Sequence, residues 1–431
     1  MDYDNKTAQA AVSPRSVPHS GTDGDATRSL VTEYDVIIIG GGPSGLSTAL
    51  HLLKTASPLS TRILLLEKER YPRPKLCAGG LTLDAEILLE RLGLNLNEVP
   101  HVFADDIHFD FESKGLIVRV PKRHALRVIR RDEFDNWLAK KAETRGLEIR
   151  EGITVKNIIP HKDGVTIETD QETFCAQVIV GADGSNGVTR RCIFPRAPVY
   201  TARVLEVITP EYNVVASLRE AISSMSKEIA SGKDTPRNDK TAYFDFFPVP
   251  DNIAGYVWDF PTQVGGVPMR CWGIYDTNML ASGKRPQLKE ALATEMSRLG
   301  FDLNQYEIKG HPIRWFSPEN EMSVPRVLLV GDAVGADPVF GEGISIALGY
   351  GAIAAQEVSE SLQRREFSFR GYRSRVLRSA LGQTLIARWM IASIIYPIKW
   401  RWFQMLLWRF LKPIVMLVAW LFVLNWGKRI H

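Results

Sequence analysis

The sequence predicts an α/β fold: a Rossmann-like nucleotide-binding domain, an interleaved mixed β-sheet substrate domain, and a C-terminal helical, membrane-associating tail. Three observations lead there. A short apolar run ending in spaced glycines stands near the N-terminus, a strand followed by glycine and acid returns twice further on, and the last stretch is strongly apolar and rich in tryptophan.

Residues 36–39, Val-Ile-Ile-Ile, are β-branched throughout, as suits a central parallel strand buried on both faces. Gly40, Gly42 and Gly45 follow in the G-x-G-x-x-G spacing. The first permits a tight turn, the second lets backbone approach a pyrophosphate, and the third allows close helix-to-strand packing. Pro43 and Ser44 lead into the helix, whose N-terminal N–H groups and dipole would hold phosphates. Residues 62–66 read as the next strand, with Glu67 at its end, where a carboxylate can accept from both hydroxyls of an adenosine ribose. The separation exceeds the usual value of about 20 residues, and loop 55–61 accounts for the excess. An acid here favours a dinucleotide with a free 2′-hydroxyl, FAD or NAD rather than NADP.

The loop 68–80 begins with Lys68, is broken by prolines, and closes on Cys77, Gly79 and Gly80. Its basic residues and glycines suit a second contact with an anionic cofactor. A helix is expected over 83–92, strands over 107–111 and 116–120, a helix over 132–145 and another nucleotide-sheet strand over 147–150. Residues 155–160 and 165–169 read as a hairpin turning on Lys162-Asp163-Gly164. The buried-strand run 177–180 ends at Asp183 and Gly184, where an acid can reach a cofactor while backbone stays close. From 200 to about 316 the chain becomes aromatic and strand-like, with segments at 243–247, 255–260 and 269–275. Residues 327–330 then return to the first theme: strand, Gly331, Asp332, and a second helix start at Gly341, Gly343 and Ile344, aimed at phosphate or flavin. The expected division is a disordered tail (1–33), a nucleotide domain (34–199 and 321–365), a substrate domain (200–320) and a helical C-terminal region (366–431).

A net charge of +4 over 431 residues is small, and the soluble part carries no basic block interleaved with aromatics, which speaks against nucleic acid as a partner. The four cysteines are scattered without a Cys-x-x-Cys pair, so neither structural zinc nor a disulfide framework is expected and a reducing compartment fits best. The histidines show no ligand spacing, and no metal site is expected. Residues 1–33 are polar and aperiodic, with neither a secretory signal pattern nor the acid-poor composition of a transit peptide.

From about Thr384 the chain is strongly apolar and holds six of the ten tryptophans, with Lys399, Arg401, Arg409 and Lys412 among them. Tryptophan and snorkelling cations both find partners at a membrane interface. Residues 414–426 are uncharged but fall short of the roughly 20 residues a spanning helix needs. The expectation is a monotopic anchor or re-entrant hairpin, broken near Pro397 and Pro413, on the cytoplasmic side of a membrane, with a buried helical cap or dimer face as the alternative.

The three strand-glycine-acid stretches together resemble the flavoprotein fold of the p-hydroxybenzoate hydroxylase class, in which all three wrap one FAD. Residues 74–80, Pro-Lys-Leu-Cys-Ala-Gly-Gly, and 256–261, Tyr-Val-Trp-Asp-Phe-Pro, look like the two signatures of the geranylgeranyl reductase family. That resemblance covers about 34–351. It implies that Gly40, Gly42, Gly45 and Glu67 hold FAD pyrophosphate and ribose, with Arg131 and Asp183 nearby. Asp332 would bind by the ribityl and phosphate chain, and Gly341, Gly343 and Ile344 would approach the isoalloxazine. Cys77, Gly79 and Gly80 would lie against the flavin on the substrate side, with Cys77 a catalytic candidate. Tyr256, Trp258 and Phe260, followed by Pro261, would line a prenyl pocket. The activity implied is saturation of double bonds in a polyprenyl lipid by hydride from reduced flavin, with NAD(P)H or ferredoxin as transient electron donor. One departure is visible: Gly187, Val188 and Thr189 precede Arg190 where the family usually carries serine and valine. Taken from the residues alone, Cys77 reads equally as a small apolar filler and the 256–261 alternation as any half-buried strand. The spacing of 256–261 also parallels the Trp-x-Trp-x-Ile-Pro signature of flavin-dependent halogenases, which keeps oxygen-dependent flavin chemistry as the alternative, beside a non-catalytic membrane flavoprotein.

Overall fold

The computed structural model describes residues 33–55, 62–198, 200–212, 237–280 and 287–430. The expected tail over 1–32 and most of loop 55–61 lie outside them.

Two sheets organise the chain. The first runs Ser323–Val324, Val327–Leu329, Thr173–Gly181, Tyr34–Ile39, Ile63–Glu67, Glu148–Glu151, and the hairpin Val155–Pro160 with Val165–Thr169 extends from Thr173–Gly181. From Val327–Leu329 to Glu148–Glu151 every pairing is parallel. The carboxyl ends of four strands are therefore level, and residues at or just beyond them, Gly40, Glu67, Asp183 and Asp332, gather along one edge, the edge where open parallel sheets bind ligands. Helices Pro43–Thr55, Arg131–Glu143 and Ile344–Arg364 contribute to one large apolar cluster with that sheet. The first and last of these approach closely because Gly351 lacks a side chain: a Cβ there would lie 2.5 Å from Ser47 Oγ.

The second sheet has seven strands in the order Lys309–Arg314, Thr201–Pro210, Val267–Asp276, Gly255–Val264, Thr241–Asp245, Asp106–Phe111, Lys114–Arg119. The boundary drawn at 199/200 is corrected by its last two members. Asp106–Phe111 pairs in parallel with Thr241–Asp245, which stacks Phe109 on Phe244 at a centroid distance of 5.0 Å. Their short alternating pattern suits either sheet, and only this long-range pairing decides. One face of the sheet packs Val207, Val257 and Trp272 against Leu292 and Met296 of helix Leu288–Arg298. The opposite face turns toward the carboxyl edge of the first sheet.

The C-terminal region is helical, as expected, through Tyr372–Arg378 and Ala380–Ile395 and then the segments Arg401–Phe410 and Lys412–Arg429, which are bent by 78° to one another. No single helix among the described residues is long and apolar enough to cross a membrane. The tryptophans divide. Trp400 and Trp420 are 64% and 62% exposed, with Trp402, Phe410, Ile414, Leu417 and Phe422 also exposed. Trp426 is 0% exposed, its ring against Gly349 and Leu381, and Trp408 stacks on Phe246 at 4.1 Å. Those two are core residues, which composition alone could not separate from the rest. Two of the cations also face the protein: Arg401 pairs with Glu112 at 2.7 Å and Arg409 donates to the Phe111 carbonyl at 2.7 Å.

Candidate functional site

Between the two sheets lies one cavity of about 650 Å³. Of the residues singled out from sequence, Gly40, Gly42, Pro43, Ser44, Glu67, Lys68, Cys77, Gly79, Gly80, Arg131, Asp183, Gly184, Asp332, Gly341, Gly343, Ile344, Tyr256, Trp258 and Phe260 line it. Two do not. Gly45 is turned into the helix-to-strand contact, where a Cβ would lie 2.0 Å from the Gly40 carbonyl oxygen. Pro261 is corrected by strand parity: Tyr256, Trp258 and Phe260 share one face of Gly255–Val264, so Pro261 falls on the other face with Asp259.

At the nucleotide end, Gly40 adopts φ +105° and passes within 2.4 Å (counted from a would-be Cβ) of the Ala182 carbonyl oxygen, so only glycine fits. Glu67 does more than wait for a ribose. Its Oε2 accepts from the Gly41 N–H at 2.7 Å and from Arg73 at 3.2 Å, and its Oε1 accepts from the Glu69 N–H at 3.1 Å. Tyr71 donates to the Gly41 carbonyl, which closes the same knot. The acid thus ties the glycine turn to the following loop and presents its carboxylate at the cavity wall.

Asp183 Oδ2 accepts from the Thr189 N–H at 2.8 Å and from its hydroxyl at 3.0 Å, capping helix Val188–Ile193. The threonine that departs from the family pattern therefore holds this acid. Asp183 Oδ1 is buried with no partner, and burial raises the carboxyl above its usual range. Asp332 sits in the turn Gly331–Ala333; burial raises it, while Lys75 and Arg131 oppose that. Arg131, at the start of its helix, is held by Asp135 through two contacts of 2.8 Å each.

Gly79 (φ +79°) carries the loop past Ile129, whose carbonyl oxygen would be 1.9 Å from a Cβ, and Gly80 joins a small sheet with Leu126–Ile129. Cys77 Sγ accepts from the Gly79 N–H at 3.4 Å. Burial pushes its thiol up against the influence of Arg131, so the group stays neutral. Tyr256 donates to the Phe340 carbonyl and its hydroxyl is driven far up by burial.

Several lining residues went unremarked in the sequence: Phe109, Glu206, Phe244, His311 and Arg388. Glu206 and Val204 could have been found from alternation within Thr201–Pro210, since even positions share the cavity face. Arg388 could not. It comes from the C-terminal helix Ala380–Ile395 to meet Asp337 at 2.8 Å, Glu342 at 2.5 Å and the Val423 carbonyl at 2.9 Å. Glu342 also accepts from Thr82 at 2.8 Å and from Ser345. The tail is thereby locked onto loop 337–343 at the cavity's far end, where Val423 and Leu424 complete the wall.

A flavin dinucleotide fits these residues. The buried Asp183 Oδ1 lacks a partner, Gly184 (φ +81°) has nothing within 4 Å of a would-be Cβ, and Gly42 has only Arg131 at 3.9 Å. These are two open approaches and one unspent polar atom on the cavity wall. Residues 33–252 match the family described as FAD binding domain. The chain belongs to that family. It is an FAD-dependent oxidoreductase whose fold is similar to a geranylgeranyl bacteriochlorophyll reductase-like protein from Thermoplasma acidophilum. That structure aligns with a TM-score of 0.72 at 19% identity, covering 92% of this chain and 98% of the other. In sequence this flavoprotein is 29% identical over 355 residues to an uncharacterised protein of Methanosarcina barkeri (81% of this chain, 80% of that one). It is 24% identical over 358 residues to a digeranylgeranylglycerophospholipid reductase of Thermoplasma acidophilum (78% of this chain, 80% of that one).

Proposed function

We propose that this flavoprotein saturates carbon-carbon double bonds of a polyprenyl lipid. The observation that carries the reading is the continuous cavity that runs from the glycine and acid edge of the parallel sheet to an aromatic floor of Phe109, Phe244, Tyr256, Trp258 and Phe260. A prenyl chain offers apolar area and few hydrogen bonds, so aromatic walls supply affinity through contact at roughly 25 cal/mol per Å² buried. The relative named as a digeranylgeranylglycerophospholipid reductase supports the same substrate class.

In this reading the helix start at Gly42, Pro43 and Ser44 holds the pyrophosphate, Glu67 the adenosine ribose, and Arg131, Asp183 and Asp332 the connecting chain. Lys68 guards the cavity rim, and Gly79, Gly80, Gly341, Gly343 and Ile344 approach the ring system. Bound FAD, once reduced by NAD(P)H or ferredoxin, supplies a hydride. The protein's part is to orient the chain along the aromatic strand, exclude water and furnish a proton.

Arg401–Phe410 and Lys412–Arg429 would rest in a membrane interface on the cytoplasmic side through Trp400, Trp402, Phe410, Ile414, Leu417 and Trp420. Leu424 supports this, since it lines the cavity and is itself exposed, so a lipid could pass from that surface inward without crossing water. The deciding experiment is to incubate the reduced protein anaerobically with prenyl lipids from its host membranes. A product heavier by about two mass units per bond, as two added hydrogens require, supports the reading. A strict need for oxygen would turn it toward monooxygenase or halogenase chemistry, and failure to change any prenyl lipid would end it.

A further inference from the structure

The cavity floor is a row of directly opposed residues across the second sheet. Reading from one edge, Leu116 faces Phe109, Phe109 faces Phe244, Phe244 faces Trp258, Trp258 faces Gly273, and Gly273 faces Glu206. Opposed residues point to the same side of a sheet, so an aromatic row leads to a carboxylic acid, with Lys309 opposed to it on the edge strand. Gly273 is what brings the two together. A Cβ there would lie 2.0 Å from Trp258 Cζ2, so the indole extends over the glycine toward the strand that carries Glu206. Glu206 is 6% exposed, lines the cavity, and faces the backbone N–H of Cys77.

We propose that Glu206 is the general acid that delivers the proton when a double bond held against Trp258 is reduced. The assignment rests on the reductase reading above. In the step, reduced flavin gives a hydride to one alkene carbon and is oxidised. The other carbon gains the Glu206 proton as the O–H bond breaks, and the carboxylate left behind recovers a proton from water. One hydride and one proton, two electrons and two hydrogen nuclei in all, thus reach the alkene.

The groups facing Glu206 are poorer donors. Burial pushes Glu206 up to about 7, so it holds a transferable proton near neutrality. Arg130 before helix Arg131–Glu143 and Lys309 on the adjacent strand face it and oppose the rise; Lys309 is itself engaged by Glu307 at 3.0 Å. The thiols of Cys77 and Cys271 also face it, and both are raised by burial and give up protons reluctantly. His311, next along the cavity wall, is depressed to about 4 by burial and by Lys75 and Arg131, and is neutral at working pH. The Tyr256 hydroxyl is committed to Phe340.

The test uses the flavin-loaded protein with the prenyl lipid identified as above. E206Q should retain flavin and its reduction by dithionite while losing turnover by roughly 10²–10⁴-fold, the usual range for a general acid. Turnover of the unaltered protein should fall as pH rises through about 7, and E206D should keep partial activity with a displaced alkaline limb. Infrared difference spectra of the resting protein, native against E206Q, should show a protonated carboxyl that titrates in the same range. E206Q within a few-fold of native turnover overturns the assignment, as does a carboxyl already ionised well below neutrality. Should E206Q fail to fold, an unshifted alkaline limb in E206D overturns it equally. A native protein inactive on every prenyl lipid removes the substrate reading itself, and is distinguishable because the infrared titration needs no substrate.

Discussion

Replacing Arg388 with methionine should unlock the tail from the cavity. The guanidinium bridges Asp337 and Glu342, both at the cavity end, and removing one partner of a buried ion pair costs about 3–5 kcal/mol. Here the low end applies. Asp337 keeps the N–H groups of Val339 at 2.7 Å and Phe340 at 3.2 Å, and Glu342 keeps Thr82 and Ser345, so neither acid is stripped of partners. The expected loss is about 3 kcal/mol, felt first as opening of loop 337–343 and weaker flavin retention. The pH dependence carries the stronger test. Burial pushes Glu342 up but Arg388 outweighs it and holds the acid below its usual range, so its contribution is present above the unfolded pKa and lost as pH falls. Asp337 is raised by burial even beside Arg388, and rises further without it. The deficit of the variant against the native protein should therefore shrink as pH falls from about 8 to about 5. Urea unfolding followed by flavin and tryptophan fluorescence measures it. A deficit below about 1 kcal/mol, or one unchanged with pH, refutes the reasoning.

Asp110 is pushed up to about 7 by burial and by Asp245. Its native form binds a proton that the unfolded chain releases, so stability is lost as pH rises from about 4 to about 7. Asp110→Asn should flatten that loss in urea midpoints, and an unchanged pH slope would count against it. Gly273→Ala forces a Cβ to within 2.0 Å of the Trp258 indole and 2.3 Å of the Leu205 carbonyl oxygen. It should cost about 1–3 kcal/mol and raise the KM for a prenyl substrate while sparing flavin content. Gly40→Ala meets both a left-handed φ of +105° and the Ala182 carbonyl at 2.4 Å, and should yield protein without flavin absorbance. Replacing Trp400, Trp402 and Trp420 together with glutamine should abolish sedimentation with lipid vesicles and leave the melting temperature within a few degrees, because all three are exposed.

Much of the nucleotide end was legible because its requirements are local. A glycine at φ +105°, an acid at a strand end and a helix start are set by neighbours within a few residues, and Gly40, Glu67, Asp183 and Asp332 needed only that parallel strands end level. Alternation likewise carried Tyr256, Trp258 and Phe260 to one face. It would have placed Pro261 on the other face had parity been followed one residue further. Glu206 obeys the same rule, but an acid on an otherwise apolar-facing strand looks like a surface residue until the cavity above it is seen.

What the sequence determined by itself is the chemistry of the cradle: an α/β flavoprotein with glycines and acids for a dinucleotide and an aromatic strand beyond. The tertiary structure alone decided which strands build the second sheet, that Trp408 and Trp426 belong to the core, and that Arg388 reaches the cavity from the tail. The physical reason is separation along the chain. A turn or cap draws its energy from adjacent residues. Glu206 facing Cys77, or Arg388 meeting Asp337, exists only when two sheets and a C-terminal helix have closed on one another and removed those polar groups from water.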